Sequence, residues 1–134
     1  ACVAGMGTTG TLLGGSKYFN SHKPSVKMVG VEPTLNHSIQ GLKNLHESIV
    51  PRIFKKSALD DEITVTDDEA FETTRLLAIR EGLFVGMSSG AALAGALKVA
   101  QGMKSGTVVV LLPDRGDRYL STSLFMSTCA HCPP

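Results

Sequence analysis

Two glycine-rich turns carry the residues best suited to chemistry. The first, Gly5-Met6-Gly7-Thr8-Thr9-Gly10-Thr11, lies between an apolar run and a helical pattern. At such a junction glycines let the backbone approach a ligand, and the first free N–H groups of the helix point at an anion. The arrangement predicts a phosphate site. It is not a P-loop, because no Lys-Ser or Lys-Thr follows the last glycine. Two kinds of phosphate stay open. Gly5, Gly7 and Gly10 fit the G-x-G-x-x-G of dinucleotide binding, and Glu32 ends the next apolar run about 20 residues on, where an acid would meet a ribose. Thr8, Thr9 and Thr11 instead suit a terminal phosphate dianion, whose additional acceptor sites their hydroxyls would fill. A tight turn without a ligand is the third reading.

The second turn, Gly86-Met87-Ser88-Ser89-Gly90, also ends a strand-like run and opens an apolar helix. It offers two hydroxyls and another helix N-terminus at the carboxyl edge of the sheet, where α/β proteins bind ligands. Taken alone, Ser88 or Ser89 is an N-cap. Taken with the first turn, it predicts a compact ligand in a shared crevice.

The elements that must position these turns alternate between two periods. Short β-rich runs fall at Ala1 to Gly5, Val26 to Glu32, Glu62 to Thr66, Leu83 to Met87 and Thr107 to Leu112. Several are nearly continuous in apolar residues, as strands covered on both faces are. Helical patterns separate them. The first, about Thr11 to His22, ends before Pro24, which cannot continue a helix. The second starts at Thr66 or Asp67 with Glu69 in capping-box position, sets Ala70, Phe71, Thr74, Leu77 and Ala78 on one face, and stops at Gly82. The third, Ser89 to about Gln101, has almost no polar face and is expected to be deeply buried. Strand alternating with helix predicts an α/β fold: an open, mostly parallel sheet with helices on both faces. Pro33 to Asp61 shows no clean period, and so long a stretch in a compact domain is functional or carries short helices.

The 134 residues, 43% hydrophobic and 19% charged, suit one soluble globular domain and exclude a disordered tail or a collagen-like fibre. Scattered basic residues and a net charge of +1 argue against nucleic acid as a partner. No apolar stretch approaches the ~20 residues that span a bilayer, so neither a membrane protein nor a secreted precursor is expected. Cys2, Cys129 and Cys132 make an odd set for disulfides and point to a reducing compartment, with cytoplasm the default. Ala1 to Gly5 reads as the end of a buried strand, so the chain is expected to be cut from something longer.

The first glycine turn, the strand Val29-Gly30-Val31-Glu32-Pro33, the serine turn and the run Pro113-Asp114-Arg115-Gly116-Asp117-Arg118-Tyr119-Leu120-Ser121-Thr122 occur in the order and spacing of one family. From Ala1 to about Phe125 the chain resembles the cysteine synthases, pyridoxal-phosphate enzymes of the tryptophan-synthase-β fold (fold type II). Thr9 in the phosphate loop and Gln40-Gly41-Leu42-Lys43-Asn44-Leu45 resemble the B type, some members of which accept thiosulfate. The resemblance implies the C-terminal part of the cofactor-binding large domain over 1–128, with a tail at 129–134. It implies that Gly7, Thr8, Thr9, Gly10 and Thr11 hold the cofactor phosphate and that Ser88 bonds the pyridine nitrogen. A hydroxyl there does not force that nitrogen to be protonated, which makes the ring a weaker electron sink and favours β-replacement over transamination or racemisation. The implied reaction joins O-acetylserine, or another activated serine, to sulfide or thiosulfate, giving cysteine or S-sulfocysteine, in a cytoplasmic homodimer.

One departure from the family is large. Its Schiff-base lysine and the Asn-containing loop that grips the substrate carboxylate belong to the N-terminal half. None of Lys17, Lys23, Lys27, Lys43, Lys55, Lys56, Lys98 or Lys104 stands in the family's S-x-K-D-R context. No catalytic lysine is assigned, and the chain is expected to be the C-terminal part of such an enzyme, inactive without the rest. Outside the family, a nicotinamide-dinucleotide Rossmann domain and a noncatalytic scaffold are the alternatives.

Other residues carry weaker signals. Cys129-Ala130-His131-Cys132 has the spacing of a redox pair or half a zinc site, but no second ligand pair accompanies it, and a tail is expected. His22, His37 and His46 read as solvated surface residues. Asp114 to Arg118 is expected to order the turn after the last strand through ion pairs.

Overall fold

The structure, a computed structural model, describes residues 1–125, so Cys129 and Cys132 lie outside the described residues. Four strands form one sheet: β1 (Cys2–Gly5), β2 (Met28–Pro33), β3 (Asp61–Val65) and β4 (Val109–Val110), in the order β3-β2-β1-β4. Every pairing is parallel, with Val3 opposite Val29 and Val110, and Val31 opposite Ile63. Among the described residues three α-helices accompany it: α1 (Gly10–His22), α2 (Asp67–Leu76) and α3 (Met87–Gln101).

The near-continuous apolar strands are explained by burial from two sides. Successive side chains of a strand point to opposite faces. Val3, Val29 and Val31 join Ala70, Met87, Ala91, Ala94 and Ala96 in the core under α2 and α3. Ala4 and Met28 join Met6, Leu12 and the partly buried Phe19 in a second core under α1. The expected parallel sheet, with helices on both faces, is the architecture found.

The capping box is present. Thr66 N–H donates to Glu69 Oε2 at 2.8 Å and Glu69 N–H donates to Thr66 Oγ1 at 3.2 Å. Burial opposes ionisation of Glu69, but bonds from Lys98 and Thr66 outweigh it and hold the carboxyl below its usual range. The α-helix ends at Leu76, earlier than the periodicity suggests; a wider π-type turn over Leu77–Glu81 carries the chain to Gly82, whose φ of 68° stops it.

Three expectations need correction. Leu83 to Met87 is not a strand of the sheet: it makes one isolated antiparallel bridge, Val85 to Arg115, and Met87 already belongs to α3. Its partner is the chain after β4, running the opposite way, with Gly86 N–H donating to Asp114 O (3.2 Å) and Gly116 N–H to Phe84 O (3.1 Å). The last strand is also short: only Val109 and Val110 pair with β1, opposite Cys2 and Val3. Third, Gly86 is the N-cap of α3, so neither Ser88 nor Ser89 caps it. The Gly86 carbonyl accepts from Ser89 and Gly90 N–H, and Ser88 sits in the first turn with its side chain free for another task.

Among the described residues no helix is long and apolar enough to cross a membrane.

Candidate functional site

β1 delivers the chain to the carboxyl edge of the sheet, and α1 leaves from the same place. Between them Thr9, the N-cap of α1, has φ 66° and ψ 4°. A β-branched residue in the left-handed region is an outlier, and such strain persists only where the surroundings impose it, most often at ligand sites. Running from that conformation into a right-handed helix turns successive N–H groups toward one concavity, the geometry that receives anions. Thr9 is buried, caps nothing, and its Oγ1 has no hydrogen-bond partner among the described residues. A buried hydroxyl left unpaired costs roughly 1–3 kcal/mol, so this one calls for a ligand atom.

A pocket of about 250 Å³ opens here. Gly7, Thr8, Thr9, Gly10 and Thr11 form one side and Ser88, from the first turn of α3, another. The structure thus brings every proposed cofactor-binding residue of the sequence reading to one place. Ser88 is 5% exposed, and its Oγ would lie 3.6 Å from a Cβ on Gly41.

Besides Gly5 of the same glycine turn, four residues from elsewhere in the chain line the pocket: Gly41, Leu42, Leu111 and Pro113. The sequence reading missed them as site residues, although it quoted Gly41, Leu42 and Pro113 within family runs. Leu111 and Pro113 follow β4 at the edge where β1 ends. Gly41 and Leu42 come from the aperiodic stretch before β3, which runs across the site and is stitched to it. Lys43 N–H donates to Met6 O at 2.8 Å, and Gln40 N–H reaches Met87 Sδ at 3.1 Å. The one local signal was Gly41, whose φ of 91° only glycine adopts readily.

Glu32, the acid of the dinucleotide reading, does not line the pocket. It adds to the field that, after Glu62, raises the pKa of Lys56, and Lys56 pairs with Glu62 at 3.0 Å. The ribose contact that reading needs is therefore missing from the site.

The run after β4 is ordered differently from expectation. Arg115 and Asp117 form an ion pair at 3.3 Å, but both are exposed, and such pairs contribute little. The buried Tyr119 hydroxyl donates instead to Asp114 Oδ2, and both side chains pack against Gly86, where any Cβ would collide with them. Burial first, then the Asp114 bond, pushes the Tyr119 phenol up to about 12. The fourth family run is thus the support of the serine turn. His22 stacks on Tyr18 with ring centroids 4.2 Å apart, away from the pocket.

Comparison with known proteins agrees with this geometry. Cysteine synthase B of Salmonella typhimurium is 43% identical over 123 residues, covering 92% of this chain and 41% of that protein. O-ureido-L-serine synthase of Streptomyces lavendulae is 41% identical over 134 residues, covering 92% and 40%. The crystal structure of cysteine synthase (OASS) from Entamoeba histolytica superposes with a TM-score of 0.85 at 32% identity, over 92% of this chain and 39% of that one. The chain therefore spans about two fifths of the length of these relatives. The family model for pyridoxal-phosphate dependent enzymes matches residues 1–114, which contain the glycine turn, the serine turn and all four strands. The chain belongs to the pyridoxal-phosphate dependent enzyme family.

Proposed function

We propose that the chain is the phosphate-holding part of a cysteine synthase, which joins O-acetylserine or a similar activated serine to sulfide or thiosulfate. The observation that carries this reading is the single pocket shared by the α1 N-terminus, the unpaired Thr9 hydroxyl and Ser88. These residues fit pyridoxal phosphate. Thr9 Oγ1 lacks a partner, and a phosphate oxygen would supply the acceptor for its hydroxyl. Having no side chain, Gly7 lets the strap's backbone close in beside the loop: a Cβ there would stand 2.9 Å from the Gly41 carbonyl oxygen.

When bound, the cofactor supplies the electron sink for breaking bonds at the α and β carbons of an amino acid. The residues of this chain do the rest. The N–H groups of Gly7 to Thr11, with the threonine hydroxyls, hold the phosphate dianion. Ser88 Oγ offers the pyridine nitrogen a hydrogen bond without a carboxylate's charge, so the nitrogen need not carry a proton and elimination of a β substituent is favoured. Leu42, Leu111 and Pro113 form the apolar part of the wall.

No lysine of the chain lines the pocket among the described residues. On this reading the proton-accepting lysine comes from the N-terminal part of the complete enzyme, residues 1–128 are the C-terminal part of its large domain, and 129–134 form a tail. A cytoplasmic homodimer is part of the same reading. The relative named O-ureido-L-serine synthase makes the nucleophile the point for assay. The test uses the full-length protein: a visible absorbance band abolished by borohydride, with cysteine formed from O-acetylserine and sulfide, is expected. Copurification with a nicotinamide dinucleotide and no such band would contradict the proposal.

A further inference from the structure

The aperiodic stretch after β2 contributes Gly41 and Leu42 to the pocket, yet it has no regular structure to hold them there. Its base is closed by Asn36 N–H, which donates to both carboxylate oxygens of Glu47 at 2.9 and 3.0 Å, on the exposed surface. The chain between them forms an Ω-type strap with its own buried side chains, Ile39 and Leu42. One polar side chain of the strap is buried as well: Asn44, at 4% exposure.

Every bond of Asn44 points to a positioning task. Its Nδ2 donates to Pro33 O, the last residue of β2, at 2.8 Å, and its Oδ1 accepts from His46 N–H at 2.9 Å. Its own carbonyl accepts from Glu47 (3.2 Å) and Ser48 (3.0 Å) N–H. Next to it Lys43 N–H bonds Met6 O at the end of β1. Asn44 therefore clips the strap to the end of β2, while the neighbouring Lys43 backbone ties it to the residue after β1, and Gly41 is three residues before Asn44. Gly41 faces Ser88 on one side and Gly7 on the other.

We propose that Asn44 is a positioning residue for the pocket: its buried amide fixes the strap to the end of β2 and thereby holds Gly41 in place beside Ser88 and Gly7 at the pocket wall. Asn44 touches no ligand itself and does not line the pocket. The inference rests on the cofactor reading of the site, and the two can fail separately.

The test uses the full-length protein with Asn44→Asp, which keeps size and the Oδ1 acceptor but loses the donor to Pro33. Hydrogen exchange on the cofactor-free form is expected to show the Gln40 and Lys43 amides opening about tenfold faster with the β1–β2 ladder unchanged, since local opening is independent of global stability. Equilibrium dialysis against pyridoxal phosphate is expected to show retention weakened by about tenfold, the usual scale of one lost buried hydrogen bond. Glu47→Ala, at the exposed base of the strap, is expected to leave cofactor affinity unchanged. Unchanged exchange in the strap would overturn the proposal, as would faster exchange with unaltered affinity, or an equal loss of affinity in Glu47→Ala. If Asn44→Asp does not fold, Asn44→Ser is read by the same two measurements. A wild-type protein that binds no pyridoxal phosphate refutes the functional reading alone; the exchange experiment still decides whether Asn44 holds the strap.

Discussion

Gly7 and Gly41 meet backbone to backbone beside the pocket, close enough that a Cβ on Gly7 would stand 2.9 Å from the Gly41 carbonyl oxygen. The phosphate-type loop and the strap are therefore in contact without any side chain between them. Gly7→Ala must displace one or the other, and overpacking of this kind typically costs about 1–3 kcal/mol. We expect a lower Tm together with a loss of cofactor retention larger than the stability change accounts for, measured by thermal melts and equilibrium dialysis on the full-length protein. A variant with unaltered retention would show that the contact does not shape the site.

Thr9 separates strain from binding. Thr9→Gly relaxes the left-handed backbone, which stores roughly 1–3 kcal/mol, though glycine gives back about 0.5–1 kcal/mol in chain entropy. The expected outcome is a Tm equal to or above wild type combined with weaker binding of pyridoxal phosphate. Thr9→Val keeps the backbone strained and removes the hydroxyl, so it should weaken binding as well. If either variant binds as tightly as wild type, the unpaired Oγ1 is not a phosphate donor.

Ser88 lies in the first turn of a helix capped by Gly86, so its hydroxyl is not needed to start the helix. Ser88→Ala is expected to keep a Tm close to wild type, because the change removes neither the cap nor a hydrogen bond that the fold uses. The absorbance spectrum of the bound cofactor should nevertheless change. A marked fall in Tm with an unaltered spectrum would assign Ser88 to the fold instead.

Tyr119 gives the account a pH dependence. Its phenol is raised to about 12, by burial and then by Asp114, so the protonated form is favoured in the folded state. The corresponding stability is fully present below the unfolded phenol value of about 10 and is lost as pH rises toward the folded one. We expect the Tm to fall between those limits in wild type and to fall less in Tyr119→Phe. At neutral pH the Phe variant should be less stable by about 1.5–3 kcal/mol, because the hydroxyl that donates to the Asp114 carboxylate is removed. Equal alkaline sensitivity in both proteins would remove Tyr119 from this role.

What could be read from the sequence was local in origin. The capping box of Thr66 and Glu69, the glycine stop at Gly82 and the apolar strands all depend on neighbours a few residues away, and the structure contains them. What was missed depends on partners far along the chain. Serine is a favoured cap, yet Gly86 takes that position because Asp114 and Tyr119 press against its Cα. The strap has no period to detect, since Asn44, Lys43 and Gln40 hold it through bonds to Pro33, Met6 and Met87. Thr8 to Thr11 and Ser88 were legible as two turns; that Gly41 stands between them was not.

The most direct test is a crystal structure of the full-length protein with pyridoxal phosphate bound. The account predicts the phosphate on the N–H groups of Gly7 to Thr11 with Thr9 Oγ1 in its shell, and the pyridine nitrogen within hydrogen-bond distance of Ser88 Oγ. A phosphate bound elsewhere, or a ring nitrogen turned away from Ser88, would contradict it.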